Sequence, residues 1–290
     1  MKPKSFHSKL IELNLSVIFI STSGVLGRYI DLPVPIIILF RALIAGVLLF
    51  AFCKIKGFSF KIERKDLWSV LIGGFLLGAH WITYFYALKL STVAIGMLAL
   101  FTFPAITAIL EPIILKKKLL VIHLVLGALV SFGVYLLSPD INFENEYFIG
   151  ICLGVLSAVC YSLRNIMLKP QVKHYNQSVL MFSQLAIISL FLLPLCGFMD
   201  VSHVIDYLPT TILLAMLTTA IGHTMFIYSL KHFSAASASL ISSLQPIYGM
   251  IMAFIFLSET PSLNTLLGGS VIISTVLIES IRLKQSKNRE

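Results

Sequence analysis

The feature that most limits what this chain can become is a succession of ten apolar runs, each near the ~20 residues that a bilayer core demands of a helix. They fall at 10–30, 34–53, 67–88, 91–115, 120–137, 147–168, 178–197, 207–229, 233–257 and 262–282. Each run is continuously apolar rather than alternating, which selects helices over a transmembrane barrel. Only 12% of the residues are charged, about half of what a soluble domain carries. The expected fold is therefore an all-α integral membrane protein with ten transmembrane helices. The first run follows Lys2, Lys4 and Lys9 as a signal peptide would, but no small-residue cleavage site follows it, so it reads as a retained span.

The basic residues set an orientation. With the N-terminus in the cytoplasm, eighteen of the 22 Lys and Arg gather on that side, among them Lys54, Lys56, Lys61, Arg64 and Lys65 after the second run. The opposite side keeps Arg28 and Lys89 and collects Asp31, Asp140, Glu144, Glu146, Asp200, Asp206 and Glu259. Such a bias places both termini in the cytoplasm and the protein, as a multi-pass protein, in the plasma membrane. It also accounts for the net charge of +9. No basic stretch interleaved with aromatics stands apart from the spans, so nucleic acid is not an expected partner.

The chain repeats itself. Shifted by 142 residues, Tyr86, Leu88, Lys89, Ala94, Leu98, Pro104 and Gly127 meet Tyr228, Leu230, Lys231, Ala236, Leu240, Pro246 and Gly269. Between Tyr86 and Val134, 12 of 49 positions match without a gap. This is a two-fold repeat, with halves at 1–138 and 147–290 joined by Ser138–Tyr147. Five spans per half is an odd number, so the second half enters the membrane from the opposite side. Inverted repeats of this kind let secondary transporters alternate access around a midplane site. Gly74–Gly78 and Gly150–Gly154 have the small-residue spacing of closely packed membrane helices.

With ten spans in two inverted halves and a proline midway along the fourth and ninth, the chain resembles the drug/metabolite transporter superfamily, specifically its EamA-domain family. The segment Tyr228–Glu259 is similar to that family's Ala…Pro…Glu pattern, with Ala235 and Ala236, then Pro246, then Glu259. The first half matches at Ala94 and Pro104 but has Lys117 where the pattern expects the acid. The resemblance implies transport of a small metabolite, in a superfamily associated with amino acids, nucleobases, sugars and drugs.

Polar groups inside spans are costly, so each carries a functional hypothesis. Arg41 and His80 both fall ~10–12 Å below the outer surface, counting 1.5 Å per residue. With Trp81 and Tyr84 beside His80, they form a candidate substrate site. A cation and aromatics suit an anionic or zwitterionic, aromatic substrate. The alternative for Arg41 is a snorkelling side chain or a pair with Asp31; for His80 it is a packed, hydrogen-bonded histidine. Gln184 and His223 lie at mirrored depth in the second half, with His223 at the repeat position of Trp81. Gln245, preceded by Ser242, directly precedes Pro246, and a proline frees a carbonyl that neighbouring polar groups or substrate must satisfy. Its counterpart before Pro104 is the apolar Phe103. Asn14, Glu111 and Arg164 lie nearer the cytoplasm as candidates for a gate or for coupling. Glu111 either braces Arg164 or carries a proton.

The remaining chemistry is excluded by what the spacing lacks. Cys53, Cys152, Cys160 and Cys196 form neither a disulfide framework nor a zinc pattern. There is no phosphate loop, no HExxH and no GxSxG, so no catalytic residue, metal or cofactor is expected. The expectation is a secondary transporter, driven by a gradient with protons as the candidate coupling ion. Its cargo would be small polar or aromatic metabolites such as amino acids, with export the first direction and uptake the second. An intramembrane enzyme or a scaffold is the competing class. Partners are the substrate and the lipid bilayer; oligomeric state is left open.

Overall fold

A computed structural model describes residues 6–116, 121–137, 142, 144–233 and 235–287. Lys117 and most of the joint between the halves lie outside the described residues. All regular structure among the described residues is helical, as a chain in hydrocarbon requires: with no water to bond to, every backbone N–H and C=O must be satisfied within its own segment.

The first half begins with α1 (Phe6–Tyr29), α2 (Val34–Ile55) and α3 (Leu67–Leu90). It continues through α4 (Val93–Leu100), α5 (Phe103–Ile114) and α6 (Val121–Leu137). The second half opens with α7 (Glu146–Gln171) and α8 (Gln177–Leu192), the latter tightening into a 3₁₀ turn over Leu193–Gly197. Next come α9 (Leu208–Leu213), a widened π-helical stretch over Leu214–His223, and α10 (Thr224–Ser229), in one continuous rod. The chain closes with α11 (Ala235–Ile241), α12 (Gln245–Leu257) and α13 (Leu263–Lys287). Seven of these helical stretches are long and apolar enough to cross a membrane, and three shorter apolar helices accompany them.

Local sequence explains the boundaries. Asn145 and Asn176 cap α7 and α8 by accepting from Tyr147 and Ser178 N–H groups, and Thr92 caps α4 through Ile95 N–H. At the end of α2, Gly57 adopts φ +68°, which lets Phe58 N–H reach the Cys53 carbonyl and Gly57 N–H the Lys54 carbonyl. That left-handed closure favours glycine.

The prolines do more than bend. Pro104 and Pro246 each stand at the second position of a new helix, α5 and α12, because proline has no N–H for the carbonyl four residues back and its ring crowds that carbonyl. The fourth and ninth runs are thus broken helices. Thr102 N–H turns to the Ala99 carbonyl at the first break, and Ser242–Leu244 tighten into a 3₁₀ turn at the second.

The packing is paired. α3 lies along α7, and its counterpart rod α9–α10 lies along α1; α5 packs on α7 as α12 packs on α1; α2 meets α8, and α6 meets α13. Each of these partnerships maps onto another, or onto itself, under the 142-residue shift. Small residues set the closest approach. A methyl built on Gly154 would sit 2.5 Å from the Ala99 Cβ, so α7 touches α4 almost backbone to backbone. Large apolar side chains such as Val47, Phe75, Phe191 and Phe256 face outward, while Arg41, His80, Arg164, Gln184 and His223 are buried. The polarity is that of a protein whose solvent is lipid.

Candidate functional site

α3 is a span whose polar side chains face inward, and it supplies His80, Trp81 and Tyr84, all nearly fully buried. They border a narrow cavity of about 320 Å³ of empty space, wide enough for the centre of a water molecule over only about 10 Å³. Arg41 from α2, Tyr161 from α7, His223 from the π stretch, Phe103 and Gln245 complete its walls, with Ile20, Ser23, Leu100 and Phe101. Both broken helices end on this cavity, since Leu100, Phe101 and Phe103 flank one break and Gln245 flanks the other.

Arg41 is 1% exposed and does not snorkel. Its Nε donates to Thr219 Oγ1 at 2.6 Å and Nη2 to Thr218 Oγ1 at 3.0 Å. The guanidinium carbon stands 4.0 Å above the Trp81 ring centre. Asp31, the alternative partner, is taken by Lys89 at 3.5 Å. Nη1 of Arg41, Nε1 of Trp81 and Nδ1 of His223 have no hydrogen-bond partner among the described residues. The Tyr84 hydroxyl faces Ser23 without closing a hydrogen bond.

His80 is oriented by α7. Ser157 Oγ donates to the His80 carbonyl at 2.8 Å and lies 2.7 Å from His80 Nδ1. A hydroxyl has one proton, so with that proton on the carbonyl the ring Nδ1–H is the donor and Nε2 keeps its lone pair. The imidazole stacks on Tyr161 with ring centres 4.4 Å apart. Trp81 and His223, 142 positions apart in sequence, meet edge to face at 5.4 Å. Repeat-equivalent positions touch only where the two halves meet, so the cavity lies on their common axis. Phe103 and Gln245, another equivalent pair, both line it.

Arg164 is fully buried beside this centre. Its Nη2 and Nε donate to Gln184 Oε1 at 2.6 and 3.2 Å, and Nη1 donates to Asn165 Oδ1 at 3.0 Å. Those bonds draw Arg164 and Gln184 into a group behind the cavity wall. Glu111 is only partly buried and acts electrostatically on Lys169. Ser242 bonds back to the Ala238 carbonyl and Asn14 to the Leu10 carbonyl, each within its own helix and away from the cavity lining. Two buried guanidiniums therefore stand at or beside the centre, and no Asp or Glu among the described residues lines the cavity.

Four contributors escaped the sequence reading: Ser157, Tyr161, Thr218 and Thr219. The first two had a signal, since Ser157, Tyr161, Arg164 and Asn165 recur at helical spacing on one face of α7. The two threonines had none, because what aims them at Arg41 is the π turn, a widening common at functional sites.

Cations tie helices together at both ends of the bundle. At one end Arg28 Nη1 donates to the Leu88 and Lys89 carbonyls at 2.8 and 2.7 Å, and its Nε lies 3.8 Å from Glu259. Glu259 in turn accepts the Val93 N–H at 2.8 Å, at the start of α4. At the other end Lys169 donates to the Leu230 and Phe233 carbonyls, with Glu111 nearby. Leu230 is the repeat counterpart of Leu88. Each end thus uses a cation to clasp the carbonyl end of a neighbouring helix.

The chain resembles known proteins in this same two-fold pattern. The model of the EamA-like transporter family matches twice, at residues 10–138 and 148–281. An uncharacterized transporter of Archaeoglobus fulgidus is 26% identical over 234 residues, covering 80% of this chain and 83% of that protein. The uncharacterized transporter YxxF of Bacillus subtilis is 22% identical across 98% of this chain and 93% of its own length. A solved crystal structure superposes with a TM-score of 0.72 over 97% of this chain and 99% of its own, at 18% identity, a likeness of fold. With both halves matched and the relatives covered nearly end to end, this multi-pass membrane protein belongs to the EamA-like transporter family.

Proposed function

We propose that the chain is a secondary transporter rather than an enzyme, moving small polar or aromatic carboxylates, amino acids among them, by alternating access. Ten spans in two inverted halves, 1–138 and 147–290, would cross the plasma membrane with both termini in the cytoplasm. The Arg28 end then faces outward and the Lys169 end inward. The observation that carries the reading is Arg41. Its desolvated guanidinium stands over an indole at the axis of the two halves, with one N–H unpartnered and no acid lining the cavity. A buried cation without a counter-charge is costly, and a substrate carboxylate would offset that cost while stacking against Trp81 and Tyr161. The cavity is too narrow for such a substrate as it stands, which fits a state closed at both ends. Export is the first direction read and uptake the second. The test is flux of radiolabelled L-phenylalanine, L-glutamate, phenylpyruvate and 2-oxoglutarate into and out of proteoliposomes holding the full chain. Movement of at least one above empty liposomes, lost in Arg41→Ala, supports the reading; no movement of any, or movement unchanged in Arg41→Ala, sinks it.

A further inference from the structure

The cavity holds its ionisable groups in an unusual balance. The titratable or charged side chains facing His80 are Arg41 from α2, Tyr84 from its own helix, Tyr161 and Arg164 from α7, and His223 from the π stretch. α8 brings Gln184, and α1 and α4 bring Ser23, Leu100 and Phe101. No carboxylate is among them. If a proton crosses with the substrate at this site, the ordinary carrier, an acidic side chain, is missing.

Resting on the transport reading above, we propose that His80 is a proton-binding residue and that the site loads an anionic carboxylate and a proton together. Three observations carry it. Ser157 Oγ lies 2.7 Å from Nδ1 and donates its proton to the His80 carbonyl at 2.8 Å, an arrangement that assigns the ring proton to Nδ1 and the lone pair to Nε2. The ring lines the cavity beside Arg41, where a substrate carboxylate would dock. Two guanidiniums are within electrostatic reach of the imidazole, and neither has an acid partner among the described residues.

The coupling follows from charge. In the empty site a proton on Nε2 would add a third positive charge to two in a medium of low dielectric, where such repulsion is strong. A carboxylate docked on Arg41 cancels one charge and attracts the next, so anion and proton bind cooperatively, and each raises the affinity for the other by the same factor. The proton enters from water on the open side, bonds to Nε2, and returns to water on the other side when the carboxylate leaves. No other bond is made or broken. One proton accompanies each monoanion, so that cargo crosses as a neutral pair and a one-unit pH step accumulates it about tenfold. An inward proton gradient then drives uptake, the second of the two directions.

The test uses full-length protein in proteoliposomes loaded with a pH-sensitive dye, and phenylpyruvate, L-glutamate and 2-oxoglutarate as probes. The expected result is a probe gradient that moves about one proton per monoanion in the same direction. His80→Gln should cut that ratio at least tenfold, whatever the residual flux. A probe that crosses without protons, or a ratio unchanged in His80→Gln, overturns the proposal while leaving transport intact. Failure of every probe, and of L-phenylalanine, would remove the transport reading itself. Should the variant not fold, nitrogen NMR of the assigned His80 ring in the wild-type protein decides. Nε2 should be unprotonated in the ligand-free protein at neutral pH and protonated on saturation with the transported probe; an Nε2–H tautomer in the ligand-free protein overturns the assignment.

Discussion

Gly154→Ala is the sharpest test of how closely the two halves meet. The added methyl would lie 2.5 Å from the Ala99 Cβ, with the Ala99 carbonyl carbon and the Gly96 carbonyl oxygen each at 3.5 Å. Carbon atoms rest at ~3.5–4.0 Å, so α4 and α7 must part by about 1 Å, and neither contacting atom is the tip of a flexible side chain. Overpacking of this kind costs about 1–3 kcal/mol. In a chain of this size that is a drop of roughly 2–6 °C in melting temperature, read by thermal unfolding in detergent. Ala99→Gly alone should lower stability by about 1 kcal/mol, through helix propensity. Combining the two moves one methyl from α4 to α7 and should return the protein close to the parent, a favourable coupling of about 2–4 kcal/mol. Because Ala99 precedes the break at Thr102–Phe103, transport should fall in the first variant and recover in the double. A Gly154→Ala melt within 1 °C of the parent (roughly 0.5 kcal/mol), or a double variant equal to the sum of its parts, would refute the contact.

Four further outcomes follow from the buried groups and the ends. Arg41→Lys keeps a charge but loses the planar fork that engages Thr218 and Thr219, so flux should fall about tenfold or more. Gln184→Leu removes the oxygen that accepts from two Arg164 nitrogens, leaving only Asn165 Oδ1, and should destabilise by about 1–3 kcal/mol, whereas Gln184→Glu supplies a counter-charge and should raise the melt; a lower melt would show that Arg164 does not lack one. Glu259→Gln weakens the Arg28 end, and a cysteine placed at Ser23 should then react faster with an impermeant thiol reagent added on that side. His203, outside the spans, sits 2.9 Å from the Asp206 carboxylate, which lifts its protonation above the ordinary histidine range. The pair therefore contributes stability below that range and loses it as pH rises through the lifted value, and Asp206→Asn should lower the midpoint of the His203 NMR titration.

The helical segments were legible because each reports a bulk property, the thickness of hydrocarbon, to which ~20 residues answer directly. The two prolines were legible as bends for a covalent reason, the missing N–H; that each stands at the start of a new helix was not. Trp81 and His223 could be paired from the repeat alone, and they do touch. What the sequence could not show is direction around a helix axis once regularity fails. Depth counting put Arg164 near Glu111, yet its side chain turns to Gln184 and Asn165. Arg41 had a plausible acid in Asp31, but Lys89 claims that acid, and the threonines that hold Arg41 are aimed by a π turn that no residue pattern announces. Hydroxyls that bond their own helix, such as Ser242, look the same in sequence as those that cross to another, such as Ser157.

The clasps at the two ends have a consequence for mechanics. Arg28 on the Leu88 carbonyl and Lys169 on the Leu230 carbonyl are similar contacts on repeat-equivalent acceptors, although the cations stand one position apart under the shift, Arg28 answering Pro170 and Lys169 answering Gly27. In the alternating-access cycle proposed above, the two clasps would compete, and their difference, not their sum, would set which end opens more readily. A change of ~1.4 kcal/mol at either clasp shifts that balance tenfold, within reach of one substitution far from the cargo.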